Sequence, residues 1–410
     1  MRDIVTPEQI AAPVSPKGWR DDGRWETATN STGGAGRLPV LDGLRGTAAF
    51  VVIIYHYLCL AHPRLTPSMS EAPNAIVDTP INLAVNGAFA VAIFFVLSGF
   101  VIARSADRRR ETVMRALVAR YLRLALPAAA SCLLAWALLT MLPNATSELR
   151  NDPEFSSRWL EYTYQGDIGS PVRAVYNGMI GIFEHGFSRW NNALWTLKIE
   201  LFGSFAVLLT FMLTSGMPRF AMLVIGSVVL PSLTEPSYIA FGLGAILYEG
   251  HRVGMFTRKA EVGWNATVPF VLLLVTGLLL AFPGGGFHDR VGLPHVPPDW
   301  RIGGSRGYLH VFAAALVILC LLISPATARP FSSPILLWLG RVSFGLYLVH
   351  VPILYTVVAH LHLDTSFGTI LIAAIFLAIC LALAEIFTRL IDIPTLRLCS
   401  RIRSLGTSKG

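Results

Sequence analysis

Long apolar stretches alternate with short polar segments over most of the chain. An apolar run of about 20 residues can cross a bilayer as an α-helix, which satisfies its own backbone hydrogen bonds there. The pattern predicts an all-α, polytopic integral membrane protein with about ten transmembrane helices. The predicted spans are 44–62, 84–104, 124–142, 193–214, 219–232, 236–250, 265–282, 307–325, 335–358 and 367–391.

Two parts of this pattern leave the number of spans open. Residues 219–232 and 236–250 are short for a membrane crossing, and Pro231 and Pro236 mark the break between them. Together they could form one re-entrant hairpin instead of two spans. Residues 173–186 are typical of an interfacial or half-crossing helix.

The basic residues favour one orientation of these helices. With the amino terminus in the cytoplasm, 24 of the 33 Lys and Arg residues lie on the cytoplasmic side, as the positive-inside rule requires. Both termini are then cytoplasmic, and residues 143–192 form the largest outer loop. Its aromatic residues suit a sugar ligand or act as interfacial anchors. They include Trp159, Tyr162, Tyr164 and Trp190.

Composition excludes other classes of protein. The chain is 53% hydrophobic and 14% charged, with a mean hydropathy of +0.57, whereas soluble domains carry about 25% charged residues. The net charge of +8 is spread over short loops, which argues against nucleic-acid binding. Residues 1–37 are predicted to be a disordered cytoplasmic tail, 38–395 the transmembrane domain, and 396–410 a basic cytoplasmic tail.

The first predicted helix carries two polar side chains on one face. Arg45 and His56 are eleven positions apart, which is about three turns and about 16 Å along a helix. A cation at the membrane surface and an imidazole deeper in the bilayer are therefore aligned. This arrangement favours a long ligand that is bound at one end and reacts at the other.

Arginines are concentrated between residues 104 and 123, on the predicted cytoplasmic side. Arg120 and Arg123 are one turn apart, just before a membrane span. Arginine suits bidentate contacts to phosphate, but it is also attracted to anionic lipid headgroups. A phosphorylated ligand and a lipid surface are equally good explanations of the pattern.

Three further polar residues lie within predicted spans. Glu200 could orient a histidine, accept a proton from a substrate, or pair with a cation. His350 lies one turn after Tyr347, which favours a polar cavity. Ser98 lies beside Gly99, where a helix or a ligand could approach closely. The sequence has no metal-ligand cluster, and its five cysteines show no metal-ligand spacing.

These residues occur in segments that resemble the acyltransferase-3 family of integral membrane acyltransferases. The resemblance covers residues 38–395 and rests on four motifs in the family's order. They are LDGLRGTAAFVVIIYH (41–56), FFVLSGFVI (94–102), the Arg120-x-x-Arg123 pair and LGRVSFGLYLVHVP (339–352). Departures from the family's pattern are Lys198 and Gly203, where many relatives have uncharged and aromatic residues, and Phe344 in place of a tyrosine.

The resemblance implies an O-acyltransferase that modifies a hydroxyl of a surface glycan, a lipid-linked glycan or a related acceptor. Acyl-CoA, with acetyl-CoA expected, would be the co-substrate from the cytoplasm. Arg45, Arg120, Arg123 and Ser98 would bind it. His56 would be the general base or a transiently acylated nucleophile, with Glu200 and His350 as further catalytic candidates. A multi-pass location in the inner (plasma) membrane, among membrane lipids, is implied as well.

A proton-coupled transporter of a polar small molecule or glycan precursor is the alternative. It would also place histidines and carboxylates inside the membrane. Transporters of this kind commonly show broken helices at matching positions of two repeats, and the sequence shows no such pairing. A non-catalytic sensor would leave the spacing of Arg45 and His56 without a role.

Overall fold

The computed structural model describes residues 38–66, 79–107, 112–152, 155, 157–162, 166–233, 237–256, 271, 274–277 and 305–404. Within these ranges every regular element is helical. The chain is an all-α, multi-pass membrane protein, as predicted. The main helices are α1 (Pro39–Ala61), α2 (Gly87–Asp107), α3 (Val113–Met141), α4 (Ala145–Asn151), α5 (171–185), α6 (Thr196–Leu213), α7 (Gly216–Leu233), α8 (Tyr238–Arg252), α9 (Ser305–Ile323), α10 (Pro334–Asp364) and α11 (Thr369–Ser404).

Six of these helices, α1, α2, α3, α6 with its preceding turn, α10 and α11, are long and apolar enough to cross a membrane. Helices α7 and α8 occupy most of the predicted spans 219–232 and 236–250, and they pack against each other. The predicted span 265–282 and the tail 1–37 fall largely outside the described residues. The total of ten spans and the cytoplasmic position of both termini stay predictions.

The helices α1 and α10 touch through glycines. A Cβ atom on Gly340 would lie 2.1 Å from the carbonyl oxygen of Asp42, and one on Gly46 would lie 2.6 Å from the Gly340 nitrogen. Ten residues further along each helix, His56 and His350 are hydrogen-bonded to each other. The two helices therefore run in the same direction, and the glycine contact lets their backbones lie close enough for the histidines to meet.

Two long helices each contain a π-helical turn, in which one turn holds an extra residue. One turn, Leu354–Val358 in α10, follows Pro352, which cannot donate a backbone hydrogen bond. The other is Thr388–Asp392 in α11. Such turns rotate the residues after them and are frequent at functional sites.

A buried charge cluster joins the ends of α2, α7 and α8. Arg219 is 6% exposed, and its Nη1 donates to Asp107 Oδ1 (2.8 Å) and to Glu249 Oε1 (3.0 Å). Arg252 donates to Glu249 (2.6 Å), and the Tyr248 hydroxyl donates to Asp107 (3.0 Å). Two arginines thus offset two carboxylates, which allows charged groups to be buried here.

The substitution Arg219→Met is expected to destabilise the protein strongly. It removes the cation between Asp107 and Glu249, and leaving a buried charge without its partner costs about 3–5 kcal/mol. The temperature at which the detergent-purified protein aggregates should fall clearly, and Arg219→Lys should fall less because one charge is kept.

The matched control is Arg389→Met, because Arg389 also pairs with a carboxylate but its side chain is 68% exposed. Exposed ion pairs contribute about 0–1 kcal/mol, so this variant should aggregate near the wild-type temperature. Equal losses in the two variants would contradict the role assigned to the buried cluster.

Candidate active site

The two predicted intramembrane histidines lie in contact. His350 Nε2 is 3.0 Å from His56 Nδ1, and the ring centroids are 5.0 Å apart. His350 is completely buried, whereas His56 is only partly buried. Of the two imidazoles, His56 is therefore the one that a ligand can reach.

The hydrogen bonds of His350 define the tautomers of the pair. Nδ1 of His350 is 3.1 Å from the Leu346 carbonyl oxygen, which can only accept a hydrogen bond, so this nitrogen carries a hydrogen. A buried imidazole is favoured in its neutral form, which leaves His350 Nε2 as an acceptor. It accepts the Nδ1–H of His56. The lone pair of His56 is then on Nε2, where it can take up a proton.

A buried polar network holds α10 near His350. The Ser131 hydroxyl of α3 donates to the Leu348 carbonyl oxygen (2.7 Å). The Asn191 amide donates to the same oxygen (3.0 Å) and to Ser131 Oγ (2.9 Å). Three segments of the chain are joined at this point, two residues before His350 on α10.

Aromatic rings surround His56. The rings of Tyr55 and Trp159 each have their centroid 5.4 Å from that of the imidazole. The Tyr355 ring lies 4.9 Å beyond Trp159, and its position follows from the π-helical turn of α10. The histidine pair therefore has an apolar, aromatic environment on the side of the predicted outer loop.

A line of polar groups leads from the histidines along α6. Thr196, Glu200 and Ser204 lie four residues apart and so share one face of the helix. Thr196 Oγ is 2.6 Å from the hydroxyl of Tyr347, whose ring centroid is 6.1 Å from that of His350. From Thr196 to Ser204 the line extends about 12 Å along the helix axis.

The other end of this line is Arg120. Its Nη2 donates to Glu200 Oε1, and its Nε donates to Ser204 Oγ (2.8 Å). The structure thus pairs Glu200 with an arginine, one of the three predicted arrangements. A catalytic role of Glu200 stays a prediction.

Arg123, one turn after Arg120, binds a different helix. Its Nη1 donates to Asp392 Oδ1 in the π-helical turn of α11, and its guanidinium lies 4.7 Å from the centre of the Phe344 ring. Phe344, a departure from the family's usual tyrosine, thus supplies a cation–π contact. Both motif arginines are paired with carboxylates from other helices.

Further arginines lie around this pair. Arg45 and Arg123 are close enough to repel Arg120 electrostatically, and Arg45 is 3.7 Å from Asp42. Arg403, near the end of α11, lies close enough to Cys399 to interact with it electrostatically, as do Arg120 and Arg123. The structure therefore brings Arg45, Arg120 and Arg123 together. Their role in binding a donor stays a prediction. Arg108, Arg109 and Arg110 lie outside the described residues.

Ser98 on α2 and Lys198 on another face of α6 lie away from the line of polar groups formed by Thr196, Glu200 and Ser204. A Cβ atom on Gly99, next to Ser98, would lie 2.2 Å from the Phe241 carbonyl oxygen, so the small residue serves packing of α2 on α8. Ser98 is partly buried, and no hydrogen bond of its side chain is seen within the described ranges. Its role in binding a donor stays a prediction. Lys198 donates to the Glu184 carbonyl oxygen (2.6 Å) at the end of α5, where a cation is favoured.

Sequence reasoning missed Asp392 and assigned Trp159 no place at the histidines. Asp392 is an acidic residue just beyond the last apolar span, a position that signals an ion pair without naming its partner. Trp159 and Trp190 are each 4% exposed, so neither offers an open face to a sugar. Tyr164, another aromatic residue of the predicted outer loop, lies outside the described residues.

Comparison with known proteins identifies the family. The acyltransferase domain model of the acyltransferase-3 family matches residues 38–389. Acyltransferase clz18 of Cochliobolus lunatus is 24% identical over 391 residues, which cover 76% of this chain and 81% of that protein. Acyltransferase R4 of Phoma sp. is 24% identical over 394 residues, with the same coverage. No solved structure matches the chain.

The family match includes α1 with its histidine, the Arg120-x-x-Arg123 pair and the second histidine on α10. It extends over 38–389, far more than half of the chain. This protein belongs to the acyltransferase-3 family and is a membrane acyltransferase.

Proposed function

We propose that the protein is an O-acyltransferase that moves an acyl group from acyl-CoA to an acceptor hydroxyl, with His56 as the general base. The observation that carries this proposal is the hydrogen-bond series from Leu346 through His350 to His56. It directs the lone pair of His56 onto Nε2. The partial exposure of His56 supports its contact with substrates.

In the proposed reaction, His56 Nε2 takes the proton of the acceptor hydroxyl while the oxygen attacks the thioester carbonyl carbon. The carbon–sulfur bond then breaks, and the leaving thiolate takes the proton from the imidazolium. The products are the acylated acceptor and CoA. His350 acts as a positioning residue, because it accepts the Nδ1–H of His56 and stabilises the imidazolium that forms.

The arginine cluster is the proposed site for the phosphates of acyl-CoA, with acetyl as the expected acyl group. Arg120 and Arg123 provide planar forks that suit phosphate, and Arg45 lies close to them. The polar line from Ser204 to Thr196 connects this cluster with the histidine pair. A long donor held at the arginines would extend along this line from the predicted cytoplasmic side.

The proposed acceptor is a hydroxyl of a surface glycan, a lipid-linked glycan or a related molecule. The support for this class is the resemblance to enzymes that modify surface polysaccharides. Such an acceptor would approach from the side of the predicted outer loop, where the rings of Trp159 and Tyr355 lie near the histidines. The proposed location is the plasma membrane.

The substitution His56→Ala is expected to lower the transfer rate about 10²–10⁴-fold, the usual contribution of a general base. His350→Leu should also lower it, because His56 then loses the side-chain acceptor of its Nδ1–H and keeps only its backbone hydrogen bond to Val52. His350→Gln should recover part of the loss, since its amide oxygen can accept that hydrogen. The measurement is transfer from radiolabelled acetyl-CoA by purified variants with a normal elution profile.

The matched control is His310→Gln, because His310 is also a buried histidine (6% exposed) but its side chain faces Asn86. This variant should keep an activity near that of the wild type. A transfer rate of His56→Ala within a few-fold of wild type would show that the histidine pair is structural only. Label retained on the wild-type protein without acceptor would favour an acyl-histidine over the base mechanism.

The carboxylates that pair with the motif arginines generate a second prediction. In Asp392→Asn and Glu200→Gln, the donor phosphates no longer compete with a charged partner, so the KM for acetyl-CoA should fall. In Arg123→Ala it should rise about tenfold or more, because a hydrogen bond to a charged group contributes about 1.5–3 kcal/mol. Initial rates at varied acetyl-CoA concentrations measure both effects.

The control for the arginines is Arg389→Ala, since Arg389 pairs with Glu385 on the same helix as Asp392. Its KM for acetyl-CoA should match that of the wild type. A wild-type KM in Arg123→Ala would assign the arginine cluster to lipid contact and helix packing. A kcat of Glu200→Gln lowered as far as that of His56→Ala would instead make Glu200 a catalytic residue.

A further inference from the structure

Trp159 is a buried outer-loop residue beside the histidine pair. Its side chain is 4% exposed, and its ring lies 5.4 Å from the His56 ring at an interplanar angle of 32°. On its other side lies the Tyr355 ring, at 4.9 Å. The indole therefore fills the space between the imidazole of α1 and the aromatic residue in the π-helical turn of α10.

Hydrogen bonds attach the segment that carries Trp159 to α1, and they attach the preceding helix α4 to α10. The Ser157 hydroxyl donates to the Cys59 carbonyl oxygen of α1, and the Trp159 backbone nitrogen donates to Ser157 Oγ (3.3 Å). The Thr146 hydroxyl donates to the Tyr355 carbonyl oxygen of α10. Leu160, the next residue in the chain, is completely buried. These contacts hold the tryptophan over His56.

An imidazole that activates hydroxyls also activates water. If water reaches His56 and the thioester, Nε2 takes a proton from water, the water oxygen bonds to the acyl carbon, and the carbon–sulfur bond breaks. The products are then a free carboxylic acid and CoA, with no acceptor modified. An acyltransferase must therefore keep water from its base, and closely packed apolar groups do this.

We propose that Trp159 is the residue that favours transfer to the acceptor over hydrolysis. Its indole lies against one face of the His56 ring and limits the access of water to the base, while the exposed part of His56 stays open to the acceptor. This inference rests on the function proposed above. In this proposal, a residue of the predicted outer loop determines whether the acyl group goes to the acceptor or to water. Neither the histidines nor the arginines have this role.

The test measures release of CoA from acetyl-CoA by the purified protein without any acceptor, with a thiol-reactive dye. The wild type should release CoA slowly. Trp159→Ala should release it roughly tenfold faster, and Trp159→Phe should lie between the two because a smaller ring remains. The double variant Trp159→Ala/His56→Ala should lose the gain, since the added hydrolysis uses His56 as its base.

The matched control is Trp190→Ala. Trp190 lies in the same predicted loop and is also 4% exposed, but its indole donates to the Ile168 carbonyl oxygen (3.3 Å). This variant should release CoA at the wild-type rate. If Trp159→Ala fails to fold, the comparison is made between Trp159→Phe and Trp190→Phe, with the same expected order.

Three results would overturn the inference. One is CoA release by folded Trp159→Ala, or by Trp159→Phe where the alanine variant does not fold, that is no faster than wild type. Another is an equal gain in the matched Trp190 variant, and the third is a gain that persists without His56. The wild-type transfer assay separates this inference from the proposed function. If the wild type transfers acetyl groups but the Trp159 variants release CoA at the wild-type rate, only the role of the indole is rejected. If neither the wild type nor any variant uses acetyl-CoA, both the role of the indole and the proposed function are rejected.

Discussion

The hydrogen bond between His56 and His350 is the contact on which the proposed chemistry depends. It joins two parallel helices whose backbones already touch at Gly46 and Gly340, about 15 Å away along the helix axes. In an apolar environment each imidazole needs a partner for its N–H group. The Nδ1–H of His350 donates to a carbonyl oxygen of its own helix, and Nε2 of His350 accepts the N–H of His56. The hydrogen bonds therefore run in one direction, from His56 through His350 to α10. The nitrogen at the start of that series is the one that can accept a proton.

The same requirement for partners explains how this chain buries arginines. Arg120 pairs with Glu200, Arg123 with Asp392, and Arg219 with two carboxylates. The pairs of Arg120 and Arg123 and the Arg219–Asp107 pair link helices that are distant in sequence, so charge neutralisation also stabilises packing. The pairs differ in their surroundings. Arg219 is enclosed at the junction of α2, α7 and α8, whereas Arg120 and Arg123 lie in a cluster with other arginines, which is the proposed site for the donor phosphates.

Hydrophobic periodicity predicted most of the helices, because a membrane-spanning helix must be apolar over most of its length. The predicted span 367–391 corresponds to the apolar part of α11, and the helix continues as an amphipathic, basic segment to Ser404 that packs beside α3. The spacing of Arg45 and His56 identified a face of α1. The partner of that face could not be predicted, because His350 is 294 residues away and only tertiary packing brings it close. For the same reason Asp392 and Trp159 were not recognised. Their positions depend on a π-helical turn and on a loop that folds inward, and neither leaves a periodic signal.

In the proposed mechanism, the donor is held at the arginine end of the polar line and delivers its acyl group to the histidine pair. The most direct measurement uses sealed vesicles that contain the purified protein in one orientation, established from the accessibility of an amino-terminal tag. Radiolabelled acetyl-CoA is supplied on one side only, with the acceptor present on both sides. Acyl transfer is expected when the donor is on the side of the amino terminus and of Arg45. Equal transfer from both sides, or transfer from the opposite side alone, would contradict the proposed mechanism.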